Sequence, residues 1–204
     1  MNKNKSLKQL RELEKLAKDL RLAADGWNAK WKTLIATLMS ARTTDMKTIP
    51  VAHELFDRFN SVEKLARASV SQIANIIRPV NFYKTKARNI SKLAKILVRE
   101  YNGNVPMELE KLVELPGVGR KTANVFLAEY GHGQIGVDTH VSYISRKLGW
   151  TKHEKQEKIE EDLKEIFPKR IWGKLNWILV RFGQTYKSRA KKNVILERIR
   201  KIKG

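Results

Sequence analysis

Apolar residues recur along this chain at intervals of three and four, not two. Leu7, Leu10, Leu13, Leu16 and Leu20 trace one face of a first helix, and Trp31, Leu34, Ile35 and Leu38 mark a second that ends near Ser40. Pro50 suits the first turn of a third helix carrying Val51, Leu55, Phe56 and Phe59. Ser61 and Ser69 read as N-caps of short helices, Ser69 with Gln72 in a capping-box position. A longer helix covers about 84–101 and stops at Asn102-Gly103. Residues 108–114 lead into a glycine hairpin and a helix over about 120–130 that Gly131 can terminate. Further helices are predicted from Asp138 to Leu148, over 153–167 before Pro168, over 171–186, and as a basic tail over 194–202. No run alternates with the period of a strand, and no repeat or low-complexity linker interrupts the pattern. The expected fold is all-α.

Composition narrows the partner more than the fold. The 204 residues suffice for one domain or two small lobes, and their formal net charge is +21. Such a charge suits a polyanion, because each neutralised phosphate releases condensed counterions. Charge alone leaves a ribosomal or chromatin-type basic protein open. The chain has no cysteine, which excludes disulfides, thiolate-held zinc or iron–sulfur clusters, and a cysteine nucleophile. Its four histidines are too scattered to suggest a metal site. The basic start, residues 1–6, runs straight into a charged amphipathic helix and so does not read as a secretory signal. No apolar run approaches a bilayer span. The expectation is a cytoplasmic, nucleoid-associated monomer from a prokaryote, with a compositional lean towards a heat-adapted one.

Two segments carry chemistry. In Leu115-Pro-Gly-Val-Gly-Arg-Lys121 the glycines permit positive φ and close backbone approach. The amides of Gly117, Gly119 and the next helical turn can then converge on one DNA phosphate, with the helix dipole behind them. The plainer reading is a tight turn with a glycine cap. Lys121 stands in the first turn of that helix beside Arg120, so its amine lies among positive charge. That setting suits a nucleophile, although most lysines of a basic protein only bind phosphate. In Val137-Asp-Thr-His140, Asp138 precedes a helix. It can cap that helix and remain an ionised carboxylate facing developing positive charge.

Residues 115–124 (Leu-Pro-Gly-Val-Gly-Arg-Lys-Thr-Ala-Asn) with Val137-Asp138-Thr139-His140 resemble the helix-hairpin-helix and Gly/Pro-Asp signature of the endonuclease III family of DNA glycosylases. The segments 34–45 (Leu-Ile-Ala-Thr-Leu-Met-Ser-Ala-Arg-Thr-Thr-Asp), 81–90 (Asn-Phe-Tyr-Lys-Thr-Lys-Ala-Arg-Asn-Ile) and 102–106 are similar to further family elements, and the likeness covers about 25–186. It implies a two-lobed helical enzyme of base-excision repair. Residues 25–132 would form the barrel lobe with the hairpin, and 1–24 plus 133–204 the second, with duplex DNA carrying a lesion, mismatch or abasic site between them.

The resemblance implies catalytic roles for Lys121 and Asp138. The amine would attack the deoxyribose as the base leaves, forming a Schiff base whose β-elimination nicks the strand. It implies DNA contacts at Arg42, Phe82, Lys84, Lys86, Gly117, Val118, Gly119, Arg120 and His140. Arg42 and Phe82 stand where the family often has Gln and Leu. Phe82 would wedge into the gap left by an extruded base, or else is a core aromatic. Asp45 would border the lesion pocket, or else caps the third helix. Many relatives carry a C-terminal four-cysteine iron–sulfur loop, which this chain cannot build. No cofactor is expected beyond a monovalent cation on backbone carbonyls of the hairpin. A bifunctional glycosylase and AP lyase acting on an oxidised or G-mispaired pyrimidine is the expected activity. A monofunctional mismatch glycosylase and a non-catalytic helix-hairpin-helix protein are its rivals.

Overall fold

In the computed structural model, which describes residues 2–203, the chain forms twelve α-helices and one short 3-10 turn, with no strand among the described residues. Met1 and Gly204, which bound the expected N-terminal segment and second lobe, lie outside these residues. The chain separates into two units, one of residues 21–126 and one of residues up to Leu20 together with those from Leu127 onwards. No described helix is long and apolar enough to cross a membrane.

The unit of residues 21–126 begins with α2 (Lys30–Ser40), the first helix being α1 (Lys3–Leu16) of the other unit. It continues with α3 (Asp45–Arg58), α4 (Val62–Arg67), α5 (Val70–Ile76), α6 (Tyr83–Tyr101), α7 (Leu109–Glu114) and most of α8 (Arg120–Glu129). Local chemistry fixes several ends. The Ser61 hydroxyl accepts from the Lys64 amide, and Ser69 with Gln72 completes the capping box expected for α5. Asn102, in the left-handed region, ends α6. The third helix departs from expectation: it starts at Asp45, with Thr44 at the N-cap, so Pro50 lies inside it. The proline's missing amide leaves one helical hydrogen bond unmade there. Packed against α4 and α5, α6 buries Ile90, Leu93, Ala94 and Leu97. In the same unit, Trp27 and Trp31 meet the Phe56 ring edge-on at 4.9 and 5.2 Å.

The other unit packs α1 against α11 (Trp172–Thr185) and α12 (Arg189–Arg200), with α9 (Thr139–Leu148) against α11 and α12 and beside α10 (Gln156–Ile166). The 3-10 turn, Lys169–Ile171, precedes α11. The first helix stops at Leu16, short of the expected Leu20, because the chain turns to follow α11: the Lys18 amide donates to Thr185 Oγ1 at 2.9 Å, and Asp19 pairs with Arg181. Gln9 is buried and satisfied at both ends, accepting from Trp150 Nε1 at 2.7 Å and donating to the Ile199 carbonyl at 3.3 Å. The tail helix starts five residues before the expected Val194, because Ser188 caps it.

Candidate functional site

The hairpin joins α7 to α8 through Leu115, Pro116, Gly117, Val118 and Gly119. Its two glycines serve different ends. At φ +79°, Gly117 has a conformation that side chains resist, and a Cβ there would lie 2.7 Å from Asn89 Nδ2 and 3.0 Å from Leu38 Cδ1. The fold itself requires that glycine. At Gly119 φ is ordinary and a Cβ would meet nothing within 4 Å, so nothing inside the protein excludes a side chain. Val118 does not reach outward as expected of a DNA contact. Its side chain is buried, since an isopropyl group gains by leaving water, and its amide donates to the Leu115 carbonyl at 3.0 Å. The Ala123 amide bonds the Gly119 carbonyl, so α8 starts at Arg120 and points its first-turn amides towards the hairpin. Arg120 is exposed, and Lys121, second in the helix, is half-buried.

Two turns of the same unit come together at Arg42 and Phe82. Both residues are left-handed, at φ 57° and 59°, a conformation costing a non-glycine residue about 1–2 kcal/mol. The Arg42 guanidinium lies 4.9 Å from the centre of the Phe82 ring. Phe82 is 57% exposed, which rules out its alternative reading as a core aromatic. Asn81, which the sequence reading passed over, ties the turns: its Nδ2 donates to the Arg42 carbonyl at 2.6 Å and its amide to Thr43 Oγ1 at 3.2 Å. Lys84 is exposed.

Lys86 corrects an expectation. It is buried, and its ammonium donates to the carbonyls of Met39 and Ala41, both at 2.6 Å, and to Thr43 Oγ1 at 3.3 Å, so it does not face a phosphate. Burial pushes its pKa down from 10.5 to about 8. The signal was present in the sequence. Lys86 stands four, seven and eleven residues before Ile90, Leu93 and Leu97, on the apolar stripe of its helix. Asp45 is the first residue of α3 and not its cap, which is Thr44.

In the other unit Asp138 caps α9, its Oδ1 accepting from the Val141 amide at 2.8 Å, and it is half-buried. The ring of His140 lies against Gly183 of α11, where a Cβ would come within 2.3 Å of Nδ1.

The hairpin lysine and the helix-capping aspartate both lie in a span shared with a known family. The model of the HhH-GPD superfamily base excision DNA repair proteins matches residues 35–169. The chain belongs to that superfamily. Within HhH-GPD proteins it is similar to endonuclease III of Thermotoga maritima, at 40% identity over 155 residues, 76% of this chain and 73% of the relative. Two solved structures are also similar, both at 32% identity. One, a trapped endonuclease III–DNA covalent intermediate in an estranged-adenine complex, has a TM-score of 0.84 and covers 92% of this chain and 89% of its own. The other, a non-covalent endonuclease III–DNA complex, has a TM-score of 0.85 over 93% and 89%. The chain is thus an HhH-GPD glycosylase of the endonuclease III family.

The iron–sulfur cluster of many family members does not fit these residues, because the 204 residues hold no cysteine to ligate it. Past Thr185 the chain instead forms α12, whose buried Lys192 donates to the Gly183 carbonyl at 2.9 Å. No cluster of His, Asp and Glu among the described residues could hold a metal ion either.

Proposed function

We propose that this protein is a bifunctional DNA glycosylase and AP lyase acting on duplex DNA that carries an oxidised or G-mispaired pyrimidine. The observation that carries the reading is Lys121, half-buried as the second residue of the helix behind a hairpin whose Gly119 faces open space. A phosphate seated on the hairpin amides would hold the sugar of the damaged nucleotide near that amine. A relative trapped as a covalent intermediate with DNA is in keeping with an amine nucleophile.

Lys121 Nζ, in its neutral form, donates its lone pair to C1′ as the C1′–N glycosidic bond breaks and the base departs with that electron pair. The nitrogen then loses a proton while the C1′–O4′ bond opens and O4′ takes one up, which leaves an iminium at C1′. That cation acidifies the C2′ proton. Loss of the proton sends the electron pair towards C3′ and expels the 3′ phosphate, which cuts the strand. The carboxylate of Asp138, oriented by its cap hydrogen bond from the Val141 amide, opposes the positive charge that develops on the sugar and accepts a proton from the amine. Arg42 and Phe82 enter the duplex where the base has left, Phe82 stacking on the neighbouring base. Lys84, Arg120 and His140 contact the phosphate backbone, and Asp45 borders the lesion pocket.

Borohydride trapping on abasic duplex tests the reading. A lyase leaves a covalent protein–DNA adduct at Lys121. Base release from a lesion duplex without an adduct would mean a monofunctional glycosylase, and binding without either would mean a non-catalytic protein.

A further inference from the structure

The ammonium of Lys86 has three N–H donors, and all three are engaged by one short stretch of chain, the Met39 and Ala41 carbonyls and the Thr43 hydroxyl. Ala41 is the C-cap of α2, so the charge sits where that helix leaves carbonyls without helical partners and gathers negative partial charge. The next residue is Arg42, turned into the left-handed region. Lys86 itself is the fourth residue of α6, and its amide donates to the carbonyl of Phe82, the left-handed residue that precedes that helix. One side chain, 7% exposed, therefore binds the base of the Arg42 turn from the helix that the Phe82 turn opens. An apolar side chain of similar volume would leave those carbonyls without a donor, and the two exposed residues would lose what holds them in a strained conformation.

We propose that Lys86 is a positioning residue, a buried clip that holds the Arg42 and Phe82 turns together as one preformed wedge and takes no part in binding phosphate. The inference rests on the reading that these two residues enter the duplex. The clip itself is a property of the free protein, so it is tested without DNA.

The experiment compares the full-length protein with Lys86→Met and Asn81→Ala. The second variant removes an exposed side chain that ties the same two turns. Amide hydrogen exchange in the free protein should be at least about fivefold faster over 40–44 and 81–84 in Lys86→Met and faster there to a lesser degree in Asn81→Ala, with α11 unchanged. Unchanged exchange in both variants would overturn the clip, and Asn81→Ala decides alone if Lys86→Met does not fold. Binding to undamaged duplex should keep its dependence on salt. A slope shallower by about 0.9 would instead make Lys86 a phosphate contact and overturn the assignment. Single-turnover excision of a paired lesion should fall about tenfold in Lys86→Met, while the same lesion in an unpaired bubble is excised within about twofold of the parental rate. Equal losses on both substrates would overturn the wedge role. If the parental protein excises no lesion, the proposed activity fails, while exchange and salt dependence still decide the clip.

Discussion

The junction of α2 with α6 and that of α11 with α12 use the same device in the two units. In each, the fourth residue of a helix is a buried lysine whose amine bonds carbonyls at the end of an earlier helix: Lys86 on Met39 and Ala41, Lys192 on Gly183. Each also starts an apolar stripe, with Ile90 and Leu93 after Lys86, and Leu196 and Ile199 after Lys192. Burial pushes both pKa values down. What they hold differs. Lys192 secures a helix that also docks through the Tyr143–Asn193 hydrogen bond and the Arg189 guanidinium 5.3 Å from the Tyr143 ring. Lys86 secures a single turn whose next residue is strained and exposed. The same charge thus serves fold alone in one place, and in the other the fold of the surface proposed to enter the duplex.

The comparison breaks first on a third lysine, at the opposite end of a helix. A helix C-terminus attracts an ammonium, whereas the first turn, where Lys121 stands, opposes it. If position at a helix end separates structural from reactive lysines, Lys121→Gln should lower nicking of abasic duplex by at least about 10³-fold and abolish the borohydride adduct. Its urea-unfolding free energy should stay within about 0.5 kcal/mol of the parent, because the residue is only half-buried. Nicking at the parental rate would sink the nucleophile.

Lys86→Met and Lys192→Met sharpen the pair. Each leaves a buried carbonyl without its donor, so each should lower stability at pH 7 by about 1–2 kcal/mol in urea titrations. Only Lys86→Met should alter excision of a paired lesion. The pH dependence has a fixed sign. Between about 8 and 10.5 the unfolded chain keeps the Lys86 proton that the folded chain has released. The parent should therefore gain stability relative to Lys86→Met as pH rises through that window, by up to roughly 3 kcal/mol. A parent-to-variant gap that narrows with pH would refute the depressed value.

These junctions also mark where sequence reading succeeds and fails. Signals that act within a few residues were legible: the Ser69–Gln72 box, the Asn102-Gly103 stop, and Asp138 at the start of α9. The glycine hairpin and the place of Lys121 in the first turn after it were legible for the same reason, because the whole motif lies in one continuous run. Lys86 and Asn81 were misjudged or missed because their partners lie about forty residues away, and a lysine in a basic chain reads as a solvated or phosphate-binding group. Its place on an apolar stripe was the only sign, and Lys192 carried the same one. Pro50 misled because the preference of proline for a first turn competes with Thr44 and Asp45, which start the helix earlier. The start of α12 was hidden by a run of charges that leaves hydrophobic periodicity nothing to mark.

The two hairpin glycines divide as the lysines do, one required by the fold and the other left open by it. Gly117→Ala adds a methyl group at φ +79°, against Asn89 and Leu38, and should cost about 1–3 kcal/mol of stability. Gly119→Ala adds one into open space at an ordinary φ, so its stability should shift by no more than about 0.5 kcal/mol. Its methyl group would stand where the proposed phosphate would approach the backbone amides. Affinity for undamaged duplex should then weaken by about five- to tenfold, since a lost charge-assisted hydrogen bond is worth roughly that much. Fluorescence anisotropy at fixed salt, beside a urea titration of each variant, reads both quantities. If Gly119→Ala bound duplex as tightly as the parent, the hairpin would be a turn and no more, and Lys121 would lack the anchor that brings a sugar to it.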